Sequence, residues 1–316
     1  MTSHPITSND NLVVVTGGAG FIGSHVVDRL LGEGRRVIVV DDLSTGAATN
    51  LQPGTDLEQF DLAGPEAASR IARLRPAAVV HCAAQASVTE SFRDPARDAA
   101  VNILGGLNAL RGALEGRGKR FVYVTTGGAL YGHAASLPSA EDDPIAPLSP
   151  YGLSKWIMER YLAVLAGDRL PWVALRLGNV YGPRQRSDGE AGVVAIFGDR
   201  MRRGAPITID GDGEQTRDFV FVTDVRDAIV TALDHEAIDS VNIGTGRPTS
   251  VNELFGQLAA ITGYRLEPTH GAARPGDVRH SVLDVRRAES VLGWAARTDL
   301  ADGLRQTYAA LGAMAE

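Results

Sequence analysis

The sequence predicts an α/β fold, a doubly wound parallel sheet followed by a smaller C-terminal α/β part. Three observations carry this. Short, nearly continuous β-branched runs alternate with stretches of helical length through the first half. A glycine-rich turn joins the first run to the first helix, and beyond Leu177 the rhythm breaks into turn-rich pieces. In chain order, Leu12 to Thr16, Val37 to Asp41, Ala77 to Cys82, Phe121 to Thr125 and Trp172 to Leu177 read as strands buried on both faces. Ser24 to Gly34, Pro65 to Arg75, Asn102 to Glu115 and Tyr151 to Ala166 read as the amphipathic helices between them. Then come turns at Gly182-Pro183-Arg184 and Asp210-Gly211-Asp212-Gly213, strands at Asp218 to Val222 and Ser240 to Ile243, and helices at Val251 to Thr262 and Val285 to Leu292. The expected division is residues 1–178, with 1–11 a flexible tail, and 179–316, with 218–244 crossing back to the sheet.

Composition excludes several classes of protein. The chain has 316 residues, 44% of them hydrophobic and 22% charged, which suits a globular protein rather than a disordered one. A formal charge of -7 offers no basic field for nucleic acid or an anionic membrane, so an anionic ligand needs a local site. The single Cys82 rules out an intrachain disulfide framework or a cysteine metal cluster, and no metal site is expected. The polar N-terminus has no secretory pattern and no apolar stretch approaches membrane-spanning length, so a cytoplasmic location is expected.

Val13 to His25 reads strand, glycine turn, helix start, with Gly17, Gly20 and Gly23 spaced G-x-x-G-x-x-G. Gly17 permits the tight turn, Gly20 lets a pyrophosphate approach the N–H groups at the positive helix end, and Gly23 allows close helix–strand packing. Phe21 and Ile22, at the helix start, join the glycines as cofactor residues. Asp41 ends the second strand, placed to accept hydrogen bonds from an adenosine ribose and to repel a 2′-phosphate, which favours NAD over NADP. Asp42 is able to share that role. Asp61, with Leu62, is within reach of an adenine amino group on this reading.

Tyr151 and Lys155 lie four residues apart, on one face of a helix, and Lys155 is one of only two lysines against 29 arginines. An ammonium beside a phenol favours the phenolate and suits the tyrosine to general base work.

With these motifs the chain resembles the extended short-chain dehydrogenase/reductase superfamily, and within it the UDP-glucose 4-epimerase family, over nearly its whole length. The resemblance rests on the glycine loop, the Tyr151/Lys155 pair, His81-Cys82-Ala83-Ala84-Gln85, Asn102, Thr125 to Gly132, Leu177 to Gln185, Arg217-Asp218-Phe219-Val220 and Arg274-Pro275-Gly276-Asp277. It implies a Rossmann-type sheet with bound NAD and a C-terminal substrate domain for a UDP-hexose. Ala83 and Ala84 would line the nicotinamide side, Asn102 and Thr125 the cofactor pocket. Asn179 and Val194 would touch the substrate, Arg217 and Arg274 would clamp its diphosphate through the guanidinium fork, and Asp277 would approach the uridine ribose. Ser281, small where similar epimerases carry a tyrosine, would leave room for an N-acetyl group. The implied chemistry is inversion at C4 through a transient 4-keto sugar, with Tyr151 as base, Lys155 beneath the nicotinamide ribose and Thr126 on the sugar oxygen. Thr125 stands in reserve, because the usual hydroxyl position is Gly127.

Gly127, Gly128 and Ala129 replace the acid/base pair that a 4,6-dehydratase or a UDP-glucuronate decarboxylase requires. Epimerases of dTDP-sugars or UDP-glucuronate, and a non-catalytic NAD-sensing regulator on the same fold, are the other readings. The apolar stripes Leu104, Leu107, Leu110 and Leu114 and Ile157, Met158, Tyr161, Leu162 and Leu165 are expected to form a homodimer interface.

Overall fold

The computed structural model describes residues 11–134, 136–187, 192–236, 239–273 and 278–313. The N-terminal tail through residue 10, Arg274 and Asp277 lie outside the described residues. The strands are β1 (Leu12–Thr16), β2 (Arg36–Asp41), β3 (Asp56–Gln59), β4 (Ala78–His81), β5 (Arg120–Thr126), β6 (Trp172–Leu177), β7 (Asn179–Tyr181), β8 (Thr208–Asp210), β9 (Thr216–Phe221), β10 (Asp239–Ile243), β11 (Pro248–Ser250) and β12 (Thr269–Gly271). The helices are α1 (Phe21–Gly32), α2 (Ala67–Leu74), α3 (Val88–Arg93), α4 (Pro95–Ala99), α5 (Gly105–Glu115), α6 (Pro150–Leu165), α7 (Val193–Arg202), α8 (Val222–Leu233), α9 (Val251–Thr262), α10 (Arg286–Leu292) and α11 (Leu300–Ala313).

Seven parallel strands form the main sheet in the order β10-β6-β5-β4-β1-β2-β3. Side-chain alternation explains their unbroken hydrophobicity. Val13, Val15, Val39 and Val80 enter one core with Val26 and Leu30 of α1 and Ala228 and Ile229 of α8. Val14, Ile38, Val40 and Val79 enter the other, with Leu110 of α5 and Met158 and Leu162 of α6. Both faces are covered, as a parallel sheet requires. The chain runs outward from β1 through β2 to β3, then returns to place β4 on β1's other side. The crevice at the carboxyl ends of β1 and β4 is therefore a topological switch point, where ligands of such sheets bind.

A second layer gathers β7, β9 and β11 with α7, α9 and α11 around Tyr181, Phe197, Phe219, Leu254 and Leu304. Residues 218–221 belong to this small sheet rather than the main one, and the return to the main sheet runs through α8 to β10. Val222, read from sequence as the end of a strand, instead opens α8, whose Val225, Ile229 and Val230 pack on the sheet. Burial overrides the strand preference of these β-branched residues.

Helix α6 is locked from below. Arg176 of β6 donates to Glu159 of α6 at 2.8 Å, with both side chains at most 4% exposed, and also to the Tyr131 hydroxyl at 3.0 Å. Tyr131 in turn donates to Asn242 of β10 at 2.8 Å. Leaving either charge of such a buried pair alone costs about 3–5 kcal/mol, so α6 is held in one register. Among the described residues no helix is long and apolar enough to cross a membrane, and no cluster of metal-ligating side chains occurs.

Candidate active site

At the switch point the backbone of the glycine turn lies directly on the segment after β4. Gly17 has φ of +67°, and a Cβ there would meet Ala83 N at 2.5 Å. A Cβ on Gly23 would meet the Gly17 carbonyl at 2.1 Å, which explains why helix α1 starts at Phe21 and absorbs Gly23 within its first turn. Gly20 caps α1 with extended backbone, no side chain caps it, and no acidic residue occupies the first turn. The N–H groups of Phe21, Ile22 and Gly23 have no intrahelical acceptor by geometry, the arrangement that suits a helix N-terminus to an anion.

Asp41 sits beside this turn. Its carboxylate is 8% exposed and accepts from the N–H groups of Ala19 and Leu43, both at 2.9 Å, while burial raises its pKa. Asp42 instead closes a local turn with Ser44. Of the two, Asp41 is the carboxylate at the glycine turn. Asp61 accepts from Ala63 N–H at 2.8 Å, and Leu62 packs in the core while its carbonyl accepts from Asn108.

Asn102 lies close to the segment that follows β4. It is 1% exposed and its amide is occupied by protein: Gln85 N–H donates to it, and it donates to the Gln85 carbonyl, Asp98 and the Ser154 hydroxyl at 2.9–3.1 Å. Its amide ties the Gln85 segment, a wall that follows β4, to α6 at Ser154. A turn of π-helix, Ala100–Leu104, turns it there. Asp98, 1% exposed and also bonded by Gln85, completes this wall and was not singled out from sequence. Its spacing four residues before Asn102 on a helical stretch was the available signal.

Ser149 caps α6 by accepting from Gly152 N–H, and Pro150 takes the first helical position. Lys155, 2% exposed, donates from Nζ to the Val124 carbonyl at 2.8 Å and lies 4.4 Å above the Tyr123 ring. Burial draws its pKa down to about 8. For Tyr151 burial also dominates, pushing the phenol up to about 12, with Asp98 adding to the rise and a Thr126 hydrogen bond opposing it. Lys155 is engaged by strand β5 through the Val124 carbonyl. Thr126 accepts from Ala129 N–H at 3.2 Å, which leaves its own proton for the Tyr151 oxygen. Thr125 is buried on the Tyr123 side.

The bare backbone of Gly128 marks the open centre. A Cβ placed there would lie 3.4 Å from Asn179 Oδ1, 3.8 Å from Ser281 Oγ and 4.0 Å from Thr126 Oγ1, so three side chains from separate segments converge on it. Gly127 faces the other way, and a Cβ there would strike Leu283 at 2.7 Å. Arg217 is partly buried and donates to the Thr216 carbonyl at 2.8 Å, and Ser281 N–H bonds the same carbonyl at 3.1 Å. Beside it, buried Asp218 gathers N–H groups from Thr245, Gly246 and Leu283. The Val194 side chain, 2% exposed, packs in the second core, so only the backbone of α7's uncapped first turn is available to a ligand.

A glycine turn at the switch point, a carboxylate beside it and a tyrosine–lysine pair at the end of β5 define a dinucleotide-dependent enzyme of the short-chain dehydrogenase/reductase type. The sequence pattern of the NAD dependent epimerase/dehydratase family matches residues 13–244, and the chain belongs to that family. It is 41% identical over 301 residues to the UDP-glucose 4-epimerase of Mycolicibacterium smegmatis, covering 93% of this chain and 96% of that protein. The crystal structure of UDP-glucose 4-epimerase from Thermotoga maritima with UDP-glucose superposes with a TM-score of 0.94 at 46% identity, covering 96% of this chain and all of that one. That of the Thermus thermophilus enzyme with NAD gives 0.89 at 40% identity, covering 95% and 99%.

Proposed function

We propose that this chain is an NAD-dependent 4-epimerase of a nucleotide hexose, with UDP-glucose and UDP-galactose as its substrates. The observation that carries this reading is the convergence of Thr126, Asn179 and Ser281 around Gly128, at the mouth of the Tyr151–Lys155 pair. The uncapped α1 terminus and the buried Asp41 carboxylate fit the pyrophosphate and ribose of NAD. Bound there, NAD would supply a reversible hydride acceptor for C4 of the sugar.

The residues of the chain supply proton control and position. Tyr151 takes the proton of the 4-hydroxyl and gives it back, while Thr126 hydrogen-bonds the same oxygen as it becomes a carbonyl. Lys155, fixed on Val124, holds the cofactor ribose beneath the phenol. Arg217 and Arg274, with Asn179, hold the diphosphate about which the keto sugar turns, and Asp277 approaches the uridine ribose. The region after Thr126 carries no acid or base able to expel water, which disfavours dehydration. Deuterium placed at C4 tests the reading: it is retained in the epimerised product, and loss of label to water or release of a deoxy keto sugar sinks it.

Ser281, whose hydroxyl lies near Gly128, is a small residue, and on this reading its size admits an N-acetyl group. Ser281→Tyr is expected to lower kcat/KM for UDP-N-acetylglucosamine about tenfold or more with little change for UDP-glucose. Equal loss for both substrates refutes the gate.

The protein is a homodimer through the α5/α6 face on this reading. Leu110, Met158 and Leu162 of the expected stripes are fully buried in the core. Leu104, Leu153, Tyr161 and Val164 are 46%, 47%, 39% and 73% exposed, an apolar surface along one side of these helices. Sedimentation velocity at micromolar concentration is expected to show a dimer that Val164→Glu dissociates, and a wild-type monomer overturns it. A cytoplasmic location accords with a single free thiol.

A further inference from the structure

Asn179 opens β7 beside the substrate cluster, and within seven residues the same backbone reaches three anchor points at the cofactor end. The Pro183 carbonyl accepts from His25 Nε2 at 3.0 Å, Arg184 Nη2 donates to Asp28 at 2.7 Å, and Arg186 Nη1 donates to the Thr45 carbonyl at 3.1 Å. His25 and Asp28 lie on the first turns of α1. Thr45 lies in the loop after β2, which is itself tied to the glycine turn: Ala47 N–H and Asn50 Nδ2 both donate to the Ala19 carbonyl. The three anchors bracket the place where a pyrophosphate meets α1 and a ribose meets Asp41.

Arg184 adopts φ of +67°, a conformation that side-chain-bearing residues rarely take. Its pairing with Asp28 rewards that geometry, since both side chains are under a third exposed. Arg184 Nη1 is buried and has no hydrogen-bond partner among the described residues, so the guanidinium keeps a donor for an acceptor outside the protein or for water. Neither the tyrosine–lysine pair nor the Gly128 cluster needs these contacts.

We infer that residues 183–186 form a strap that retains the dinucleotide, with the Arg184–Asp28 pair as its clasp. This rests on the NAD-dependent reading above. A dinucleotide seated on α1 leaves only when the strap lifts, and lifting it breaks the ion pair together with the His25 and Arg186 hydrogen bonds. Because Asn179 roots the strap in the substrate cluster, a seated nucleotide holds it down, and by linkage cofactor and nucleotide each tighten the other.

The test measures NADH release after dilution into excess NAD, followed by fluorescence. Asp28→Asn and Arg184→Gln are each expected to speed release about tenfold, equivalent to 1.4 kcal/mol. The double variant is expected to be no faster than either single variant. Adding UDP slows release from the wild type and has a smaller effect on Arg184→Gln. Arg186→Ala, at an exposed anchor, keeps the inference open to refutation if the clasp variants do not fold; its release is expected to rise about threefold, as for one lost hydrogen bond. Wild-type release rates in the single variants, or additive acceleration in the double variant, overturn the strap alone. Failure of the wild type to take up NADH overturns the cofactor reading and the strap with it.

Discussion

Tyr151→Phe is expected to lower kcat about 10²–10⁴-fold, the range for losing a general acid–base group, while NAD binding stays within a few-fold of wild type. The phenol hydrogen-bonds Thr126, whose hydroxyl lies beside Gly128 with Asn179 and Ser281. Its position also predicts a pH response. In the cofactor-free protein burial pushes the phenol up to about 12, so no Tyr151 phenolate forms near neutrality. A bound cofactor carrying positive charge at its nicotinamide favours the phenolate, and the tyrosine titration moves down in pH. Rates that depend on the phenolate therefore rise with pH in the loaded enzyme. Difference spectra of wild type against Tyr151→Phe, with and without NAD, measure both positions. Identical titrations in the two states, or a variant with near wild-type turnover, remove Tyr151 from the base role.

Lys155→Arg is expected to lose at least about two orders of magnitude in kcat despite keeping the charge, because a planar fork cannot replace a compact ammonium at a fully packed site. Lys155 is 2% exposed between the Val124 carbonyl and the Tyr123 ring, so the extra guanidinium donors would be buried without acceptors. Lys155→Met separates activity from stability. The folded pKa of about 8 lies below the ordinary lysine value of 10.5, so the folded state binds fewer protons than the unfolded chain between these values. Wild-type stability from this group accordingly rises as pH climbs from about 8 through 10.5, and the burial cost is present in full below 8. Lys155→Met, inactive, is expected to gain about 1–3 kcal/mol near pH 7. Denaturant melts at pH 7 and pH 10 check this, and an equal gain at both pH values contradicts the linkage.

Much of the sheet and the pair at its centre was legible because each left a pattern in side chains. Unbroken valine runs follow from burial on both faces, and a tyrosine four residues before a rare lysine follows from one helix face. What was not legible has a common physical origin. Asp98 looks like an ordinary helix polar until the fold brings Gln85 against it. Helix α8 is rich in residues that favour strands, and only its packing on the sheet decides the matter. Gly128 carries no side chain to suggest a role, and its meaning appears only when Asn179, Ser281 and Thr126 come around it from distant parts of the chain. Val194 shows the opposite, a substrate residue by resemblance whose side chain is core.

The buried Glu159–Arg176 pair has a mechanical consequence. A sugar that must show both faces to one stationary hydride site can do so only if something swings, and the helix bearing Tyr151 is bolted to β6 through that pair and to β10 through Tyr131 and Asn242. On the proposed mechanism the protein is then the fixed frame and the sugar the rotor, pivoting on its diphosphate as on an axle. Gly128, where even a methyl would already touch Asn179, Ser281 and Thr126, keeps the wall beside that axle one side chain thinner.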